Sequence, residues 1–326
     1  MQGKELSEHA DTHKSNAGID ASKDWLDVLV LPEGEAQRVA NTTAGLRKLK
    51  RWLARFAVAL IVIEATGKWH RLACRSLRGE GLAVAVVDPF RVRAFAKASG
   101  ILAKTDRLDA WVLALFATMM SPAIREPAPQ ALEEIAELVT ARASAVDEQT
   151  ALKNQFAAAT TSFLKRQLER RLQRIAGDIE AIEREIAKRI AQDEGLARRY
   201  AVLTSIPSFG PVIATTLIAC LAELGALTRK QIGMLAGLAP IADQSGKREG
   251  ARVVWGGRPI VRRALYLAAL SAARFNPGMK AFHDRLIASG KSAKAALIAV
   301  ARKLVVLANT LIAQNRTWQP KPPQHA

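Results

Sequence analysis

The feature that most constrains the fold is a long stretch without proline in the middle of the chain. Proline stands at Pro122, Pro127 and Pro129, and the next one is Pro207. Proline interrupts helices because it lacks a backbone N–H and its ring clashes with the preceding turn. Residues 130–206 are therefore predicted to form long helices that separate an N-terminal from a C-terminal region.

Apolar residues within this stretch repeat with a heptad spacing. They are Leu168, Leu172, Ile175, Ile179, Ile182 and Ile186. This spacing is typical of a coiled coil, and Glu and Arg flank it. A helical hairpin that packs on its own chain is the alternative interpretation. Either way, residues 127–200 are predicted to be a helical spacer and an oligomer contact, with a homodimer or homotetramer as the expected assembly.

Charge is distributed unevenly along the 326 residues. Lys and Arg number 48 against 30 Asp and Glu, a formal net charge of +18. Residues 1–126 contribute +5, residues 127–200 contribute 0 and residues 201–326 contribute +13. This excess points to a polyanionic partner, nucleic acid first of all. Hydrophobic residues make up 49% of the chain, which excludes a disordered basic protein.

Other residue patterns exclude several classes of site and location. Cys74 and Cys220 cannot build a disulfide framework or a thiolate zinc site, and the five histidines show no metal-binding pair. The N-terminus lacks the order of a secretory signal, and the apolar runs at residues 57–63 and 212–222 are shorter than the about 18 residues of a membrane span. We therefore expect a cytoplasmic protein that associates with the nucleoid during its reaction.

Strands and helices alternate in the pattern of residues 16–126. Strands are predicted over residues 17–20, 25–31, 57–63 and 82–87. Helices are predicted over residues 45–56, 68–78 and 107–119. This alternation is typical of an α/β domain.

The C-terminal region, residues 201–318, is predicted to be a mainly α-helical domain. Its longest amphipathic patterns cover residues 264–275 and 293–314, and a glycine-rich basic stretch over residues 245–257 interrupts the helices. Flexible or disordered tails are predicted over residues 1–15 and 319–326.

Four acidic residues stand at the ends of predicted elements. Asp20 closes the first strand, Glu64 ends a buried strand, and Asp106 and Asp109 lie on one face at the start of a helix. Carboxylates crowded together repel each other, and a divalent cation such as Mg²⁺ or Mn²⁺ removes that repulsion. Two such ions can activate an attacking oxygen and stabilise a leaving oxygen in phosphodiester chemistry. Each acid alone also has a structural interpretation, as a turn residue, a strand end or a helix cap.

Several short motifs, taken together, resemble one family. The first region contains Gly18-Ile-Asp-Ala-Ser-Lys-Asp-Trp-Leu-Asp-Val28, Ile63-Glu-Ala-Thr-Gly67 and Lys104-Thr-Asp-Arg-Leu-Asp-Ala110. The last region contains Leu203-Thr-Ser-Ile-Pro207, Leu235-Ala-Gly-Leu-Ala-Pro240, Gln244-Ser-Gly246 and Arg262-Arg-Ala-Leu-Tyr266. In this order, over residues 17–315, they resemble the DEDD transposases of bacterial insertion sequences, insertion-sequence family 110, which are related to pilin-gene invertases.

This resemblance implies a fold and a chemistry. Asp20, Glu64, Asp106 and Asp109 would be the metal-binding tetrad of an α/β domain similar to RuvC and RNase H, and Ser245 would be the nucleophile of the C-terminal domain. The family cuts and rejoins DNA through a phosphoserine link, with the acidic and serine domains contributed by different protomers. A structured non-coding guide RNA selects its target and donor DNA.

The residues around Ser245 leave the chemistry of that serine open. A serine needs a base or a metal to become nucleophilic, and no histidine is near it in sequence. Three basic residues nearby, Lys247, Arg248 and Arg252, could neutralise a scissile phosphate or bind nucleic acid in general. Two further arginines, Arg262 and Arg263, are candidate nucleic-acid contacts or helix-capping charges.

Two positions depart from the family's pattern. Ser208 stands where a glycine is usual, in a hairpin that offers backbone N–H groups to phosphate. Trp69 stands where tyrosine is common, so a role for a hydroxyl group there has no support.

Three other function classes compete with the serine-using recombinase. One is a metal-dependent endonuclease or Holliday-junction resolvase, in which water attacks the phosphate and Ser245 only binds. The others are a basic architectural or RNA-binding protein and an actin-like ATPase. The ATPase lacks its glycine-rich adenosine motifs, and Thr66-Gly67-Lys68 lacks the preceding loop of a P-loop.

Overall fold

A computed structural model describes most of the chain. The residues described are 14–65, 67–101, 106–126, 129–241, 244–245, 248–249 and 253–320. They form two compact units, Met1–Pro127 and Ala128–Ala326. The predicted tails at residues 1–15 and 319–326 fall largely outside the described residues, as do Lys247 and Arg252.

A five-stranded sheet is the framework of the first unit. The strands are β1 (Ser15–Ala21), β2 (Trp25–Leu31), β3 (Glu35–Ala40), β4 (Val58–Glu64) and β5 (Val84–Val87). Their order is β3-β2-β1-β4-β5. The first three strands form an antiparallel meander, whereas β4 runs parallel to β1 and β5 runs parallel to β4.

Helices cover both faces of this sheet. They are α1 (Thr43–Leu53), α2 (His70–Arg78), α3 (Pro89–Ala98) and α4 (Asp106–Met120). Helices α1 and α2 pack on one face, and α3 and α4 pack on the other. The α/β layer pattern predicted for this region is therefore present.

Two elements of this unit were absent from the sequence prediction. Strand β3 lies at the sheet edge and is mostly exposed, so its sequence, Glu-Ala-Gln-Arg-Val-Ala, lacks the apolar alternation of a half-buried strand. Helix α3 carried a readable signal, because Asp88 caps it and Pro89 occupies its first turn.

Helix α4 packs directly on the backbone of β1. A Cβ added to Gly18 would lie 2.1 Å from the carbonyl oxygen of Ala110 and 2.3 Å from the backbone nitrogen of Ala114. Nearer the start of β1, the Asn16 side-chain amide donates to the Thr118 hydroxyl at 3.2 Å. The strand and the helix therefore run in opposite directions, and Gly18 permits their close approach.

A helical hairpin opens the second unit. Helix α5 (Gln130–Ala158) and helix α6 (Ser162–Ala191) pack on each other and are tied by ion pairs. The pairs are Arg142–Glu183 at 2.6 Å, Arg171–Glu148 at 3.9 Å and Arg189–Glu134. The predicted heptad seam lies on the inner side of α6, where Leu168 and Ile186 are buried and the four seam residues between them are half-buried. The hairpin on its own chain accounts for this seam, and self-association through it stays a prediction.

The rest of the second unit is mainly helical. Its helices are α7 (Glu194–Thr204), α8 (Pro211–Cys220), α9 (Arg229–Leu235), α10 (Pro259–Phe275), α11 (Pro277–Ala288) and α12 (Ala293–Ala313). Their core includes Leu217, Leu265 and Leu304, and the base of the hairpin joins it through Val139 and Ile186. The segment predicted as a separate spacer thus shares the hydrophobic core of the C-terminal helices.

Helix α12 is more apolar than the sequence analysis recognised. At 21 residues, it is long and apolar enough to cross a membrane by length and composition alone. Half of its most apolar window is buried, and Val300, Leu304 and Leu311 belong to the core of the second unit. Its apolar character is accounted for by that burial.

Candidate active site

Two of the predicted acidic residues stand side by side at one edge of the sheet. In the parallel pairing of β1 with β4, Ile19 is opposite Ile63. Asp20 and Glu64 are the next residues on their strands, and neighbouring strands lie about 4.8 Å apart. The register therefore brings together two carboxylates that are 44 positions apart in the sequence.

Both side chains belong to the sheet face that α4 covers. Successive side chains on a strand point to opposite faces. Ile19 and Ile63 pack with α1 and α2, whereas Val62 packs with α4. Asp20 and Glu64 alternate with the two isoleucines, so they share the face of Val62, the face on which α4 crosses β1.

The N-terminal turn of α4 reaches the level of these two acids. A strand rises about 3.3 Å per residue, so Asp20 stands about 13 Å along β1 from Asn16. A helix rises 1.5 Å per residue, so Asp109 stands about 14 Å along α4 from Thr118. Because Asn16 and Thr118 are hydrogen-bonded and the two elements are antiparallel, Asp109 lies level with Asp20.

Three of the four acids, Asp20, Glu64 and Asp109, come to the same edge of the sheet without forming a closed ligand set. Asp20, Glu64 and Asp109 are each partly exposed. Asp106 begins α4, and its side chain lies outside the described residues. Among the residues that the structure describes, no group of three or more His, Cys, Asp or Glu side chains could hold a metal ion.

An asparagine that the sequence analysis missed ties together the loops that follow the two strand-end acids. The Asn41 amide donates to the carbonyl oxygen of Ser22, just after β1, at 2.9 Å, and to that of Trp69, beyond β4, at 3.0 Å. Its backbone N–H donates to the carbonyl oxygen of Asp24 at 2.9 Å. Asn41 follows β3, so only a prediction of that edge strand could have placed it here.

A second missed feature is an ion pair beside Asp20. In the antiparallel pairing of β1 with β2, Asp27 stands directly opposite Asp20. The Arg38 guanidinium donates to both carboxylate oxygens of Asp27, at 2.7 and 2.9 Å. The Asp27 side chain is only 17% exposed. Arg38 therefore offsets the negative charge that faces Asp20.

Ser245 lies in a small β arm of the second unit, which consists of two short pairs of strands. Strand β6 (Pro240–Ile241) pairs with β9 (Val253–Val254), and β7 (Gln244–Ser245) pairs with β8 (Arg248–Glu249). The antiparallel register places Ser245 opposite Arg248. The side chains of these two residues lie outside the described set, so their predicted roles stay predictions.

The base of this arm is anchored by close backbone packing and arginines. A Cβ added to Gly257 would lie 2.2 Å from the backbone nitrogen of Gly237, and both glycines have positive φ. Arg262 donates to the carbonyl oxygen of Gly256 at 2.7 Å. Arg258 donates to both carboxylate oxygens of Glu223, at 2.6 and 2.7 Å. The arm that carries Ser245 is therefore held at its base.

Arg263, which follows Arg262 and is also a candidate nucleic-acid contact, forms an ion pair within the second unit. It donates to both carboxylate oxygens of Asp147 on α5, at 2.8 and 3.2 Å. These hydrogen bonds hold the pKa of Asp147 below its usual value and raise the pKa of Arg263. Both side chains are more than half exposed, so this pair is accessible to solvent.

Two family models match the chain in sequence order. A model of DEDD transposases, described as "Transposase", matches residues 17–164. A second, described as "Transposase IS116/IS110/IS902 family", matches residues 200–284. The chain belongs to the IS110 family of DEDD transposases. As a member of this family it is an enzyme of DNA transposition and recombination, as the sequence motifs predicted.

Two relatives of this IS110-family transposase align with nearly its whole length. The pilin gene-inverting proteins of Moraxella bovis and Moraxella lacunata are each 26% identical to it over 324 residues, covering 94% of this chain and 98% of theirs. A solved structure of T. thermophilus RuvC in complex with Holliday junction substrate is 18% identical, covers 34% of this chain and 99% of RuvC, and has a TM-score of 0.26. A TM-score this low does not establish a shared fold.

Proposed function

We propose that this transposase cuts and rejoins DNA strands with an acidic divalent-metal site in the first unit and Ser245 of the second unit as the nucleophile. The observation that supports it most is the β1–β4 register, which sets Asp20 beside Glu64 on the face covered by α4. In this proposal the first unit is a RuvC-like or RNase H-like domain. Its central β1 and its acids at the strand ends agree with that class.

The metal-binding residues in this proposal are Asp20, Glu64, Asp106 and Asp109. Their donors are all carboxylate oxygens, which suit Mg²⁺ or Mn²⁺ better than softer metals. A bound ion would polarise the phosphodiester and stabilise the leaving oxygen. Asn41 would hold the two loops behind Asp20 and Glu64 in place, and Arg38 would keep Asp27 from repelling the phosphate.

The serine step conserves the energy of the cleaved bond. The Ser245 hydroxyl oxygen forms a bond to phosphorus as the bond from phosphorus to a bridging DNA oxygen breaks, and the departing strand leaves with a free hydroxyl group. Attack by the hydroxyl group of another strand reverses this step, releases Ser245 and joins the DNA. Lys247, Arg248 and Arg252 would neutralise the phosphate during the exchange.

The proposed partners follow from charge and from the family resemblance. They are DNA, a structured non-coding guide RNA and further copies of the chain in a dimer or tetramer, with the reaction in the cytoplasm. The net charge of +13 on residues 201–326 supports a nucleic-acid surface in the second unit. The pilin gene-inverting relatives are named for a DNA rearrangement, which supports the DNA partner.

A search for covalent protein–DNA adducts tests this proposal. Denatured reaction mixtures of the wild-type protein with Mg²⁺ are expected to contain DNA attached to Ser245. Ser245→Ala should abolish the adduct and keep DNA binding, while Ser289→Ala, at an exposed serine of the same unit, should change neither. Asp20→Asn should abolish cleavage, because a metal-ligand charge is lost.

The outcomes separate the competing functions. Cleavage without any adduct would identify the metal-dependent endonuclease or resolvase instead. Unchanged cleavage by both Asp20→Asn and Glu64→Gln would overturn the acidic site.

A further inference from the structure

A groove in the second unit combines positive charge with an aromatic surface. It lies between α10 and the first turns of α12 and has a volume of about 450 Å³, within the range of small-ligand sites. The residues that line it are Pro259, Arg262, Arg263, Tyr266, Lys294 and Ile298. Three of these six are cations and none is acidic.

The cations form one side of a candidate anion site. Arg262 uses one nitrogen for the Gly256 carbonyl, which leaves other donors of its guanidinium group available. Lys294 is exposed in the first turn of α12, where Ser292 is the N-cap and no acidic residue stands. The positive end of the helix dipole adds to the charge of Lys294. Arg263 is held by Asp147, so we assign the phosphate contacts to Arg262 and Lys294.

Two of the remaining lining residues offer an aromatic and an aliphatic surface, which an inorganic anion would not contact favourably. Tyr266 is half-buried and lies one helical turn after Arg262, so the two side chains share a face of α10. Ile298 lies one turn after Lys294 on α12 and adds apolar surface. Each helix thus offers a cation and, one turn later, an aromatic or aliphatic side chain. A ligand that satisfies both needs a negative group joined to a flat apolar group.

We propose that this groove binds one nucleotide of a single-stranded nucleic acid, with its base stacked on Tyr266 and its phosphate held by Arg262 and Lys294. In a duplex both faces of a base are covered by its neighbours, so a stacked base requires an unpaired strand. The inference rests on the proposed function only in that a transposase handles nucleic-acid strands. It adds a binding site on α10 and α12 that includes neither the four acids nor Ser245, and it borders the arm through Arg262.

Binding of short labelled oligonucleotides to the full-length chain tests the stacking. Fluorescence anisotropy is measured with a 12-nucleotide single-stranded DNA, the matching RNA and the matching DNA duplex. Tyr266→Leu should weaken binding of a single strand about 5- to 150-fold, since stacking on an aromatic side chain contributes about 1–3 kcal/mol per base. Tyr266→Phe keeps the ring and should stay within about twofold of the wild-type protein.

The phosphate contact has its own measurement. Lys294→Gln should reduce the slope of log affinity against log salt for a single strand by about 0.7, the value for one phosphate contact. Lys230→Gln removes the same charge from an exposed position of the same unit that does not line the groove, and should leave that slope unchanged. Circular dichroism of each variant checks that the fold is intact.

The outcomes decide the proposal. A larger loss for RNA or for single-stranded DNA identifies which strand occupies the groove, and either result supports it. Wild-type affinity in Tyr266→Leu, or an equal loss in Tyr266→Phe, would overturn it, as would an equal loss for the duplex. Adduct formation at Ser245 is measured separately on the same variants, so failure of the groove and failure of the proposed chemistry are distinguishable.

Discussion

At the scale of single residues, Ser208 shows how a departure from the family's pattern is accommodated. It stands where glycine is usual, and its φ of +79° lies in the left-handed region that glycine favours. The turn between α7 and α8 therefore keeps a backbone suited to glycine while carrying a serine. Holding a non-glycine residue in this conformation costs about 1–2 kcal/mol. Serine at this position is therefore accompanied by backbone strain.

Asn41 provides the residue-scale prediction. Asn41→Ala removes both hydrogen bonds that join the loops beyond Asp20 and Glu64, so the carboxylates should bind a metal less well. We expect Mn²⁺ affinity, measured by electron paramagnetic resonance without DNA, to fall about 10- to 100-fold, as for other residues that orient metal ligands.

The matched control is Asn16→Ala. It removes a hydrogen bond to Thr118 at the opposite end of the same strand and should leave Mn²⁺ affinity unchanged. Equal losses in the two variants would mean that Asn41 contributes only to stability.

At the scale of elements, the packing of α4 on β1 positions the candidate site. The contact depends on the absence of a side chain at Gly18, since a Cβ there would overlap the Ala110 carbonyl oxygen. Local sequence patterns predicted both elements. The contact between them joins residues that are about ninety positions apart, so it could not be derived from local periodicity.

Gly18→Ala tests this contact. The added methyl meets backbone atoms that cannot rotate away, so α4 must shift, and the free energy of unfolding of the first unit should fall by about 1–3 kcal/mol or more. The shift should also displace Asp109 and reduce DNA cleavage. Urea denaturation and a cleavage assay measure the two effects.

Gly177→Ala is the control for this substitution. Gly177 lies on α6, and an added Cβ there meets nothing within 4 Å. Alanine is the better helix former by about 1 kcal/mol, so this variant should be more stable. Destabilisation of similar size in both variants would contradict the proposed role of Gly18.

At the scale of the whole molecule, the two units differ in charge as well as in architecture. The acids of the candidate metal site belong to the α/β unit, whereas residues 201–326 of the helical unit carry a net charge of +13. In the proposed reaction the first unit would supply the metal-binding acids, whereas the second unit would hold the polyanion and supply Ser245. Such a separation lets a basic surface hold DNA while acidic residues bind cations.

This charge distribution predicts a steep salt dependence. If the full-length protein neutralises roughly 6–10 phosphates, its affinity for DNA should fall by roughly 10³–10⁵ between about 50 and 200 mM salt. Fluorescence anisotropy across that range measures the slope. A flat response would exclude the basic region as the main DNA contact.

The sequence by itself determined most of the elements and the family, and it supplied the candidate site residues. Apolar periodicity predicted β1, β2, β4 and the long helices, and the order of the motifs identified the family and indicated four candidate acids. Only the tertiary structure decided that Ile19 pairs with Ile63, that the seam of α6 packs on α5, and that Asn41 joins two loops. Periodicity reports which face of an element is buried, whereas strand register and loop contacts depend on hydrogen bonds between distant segments.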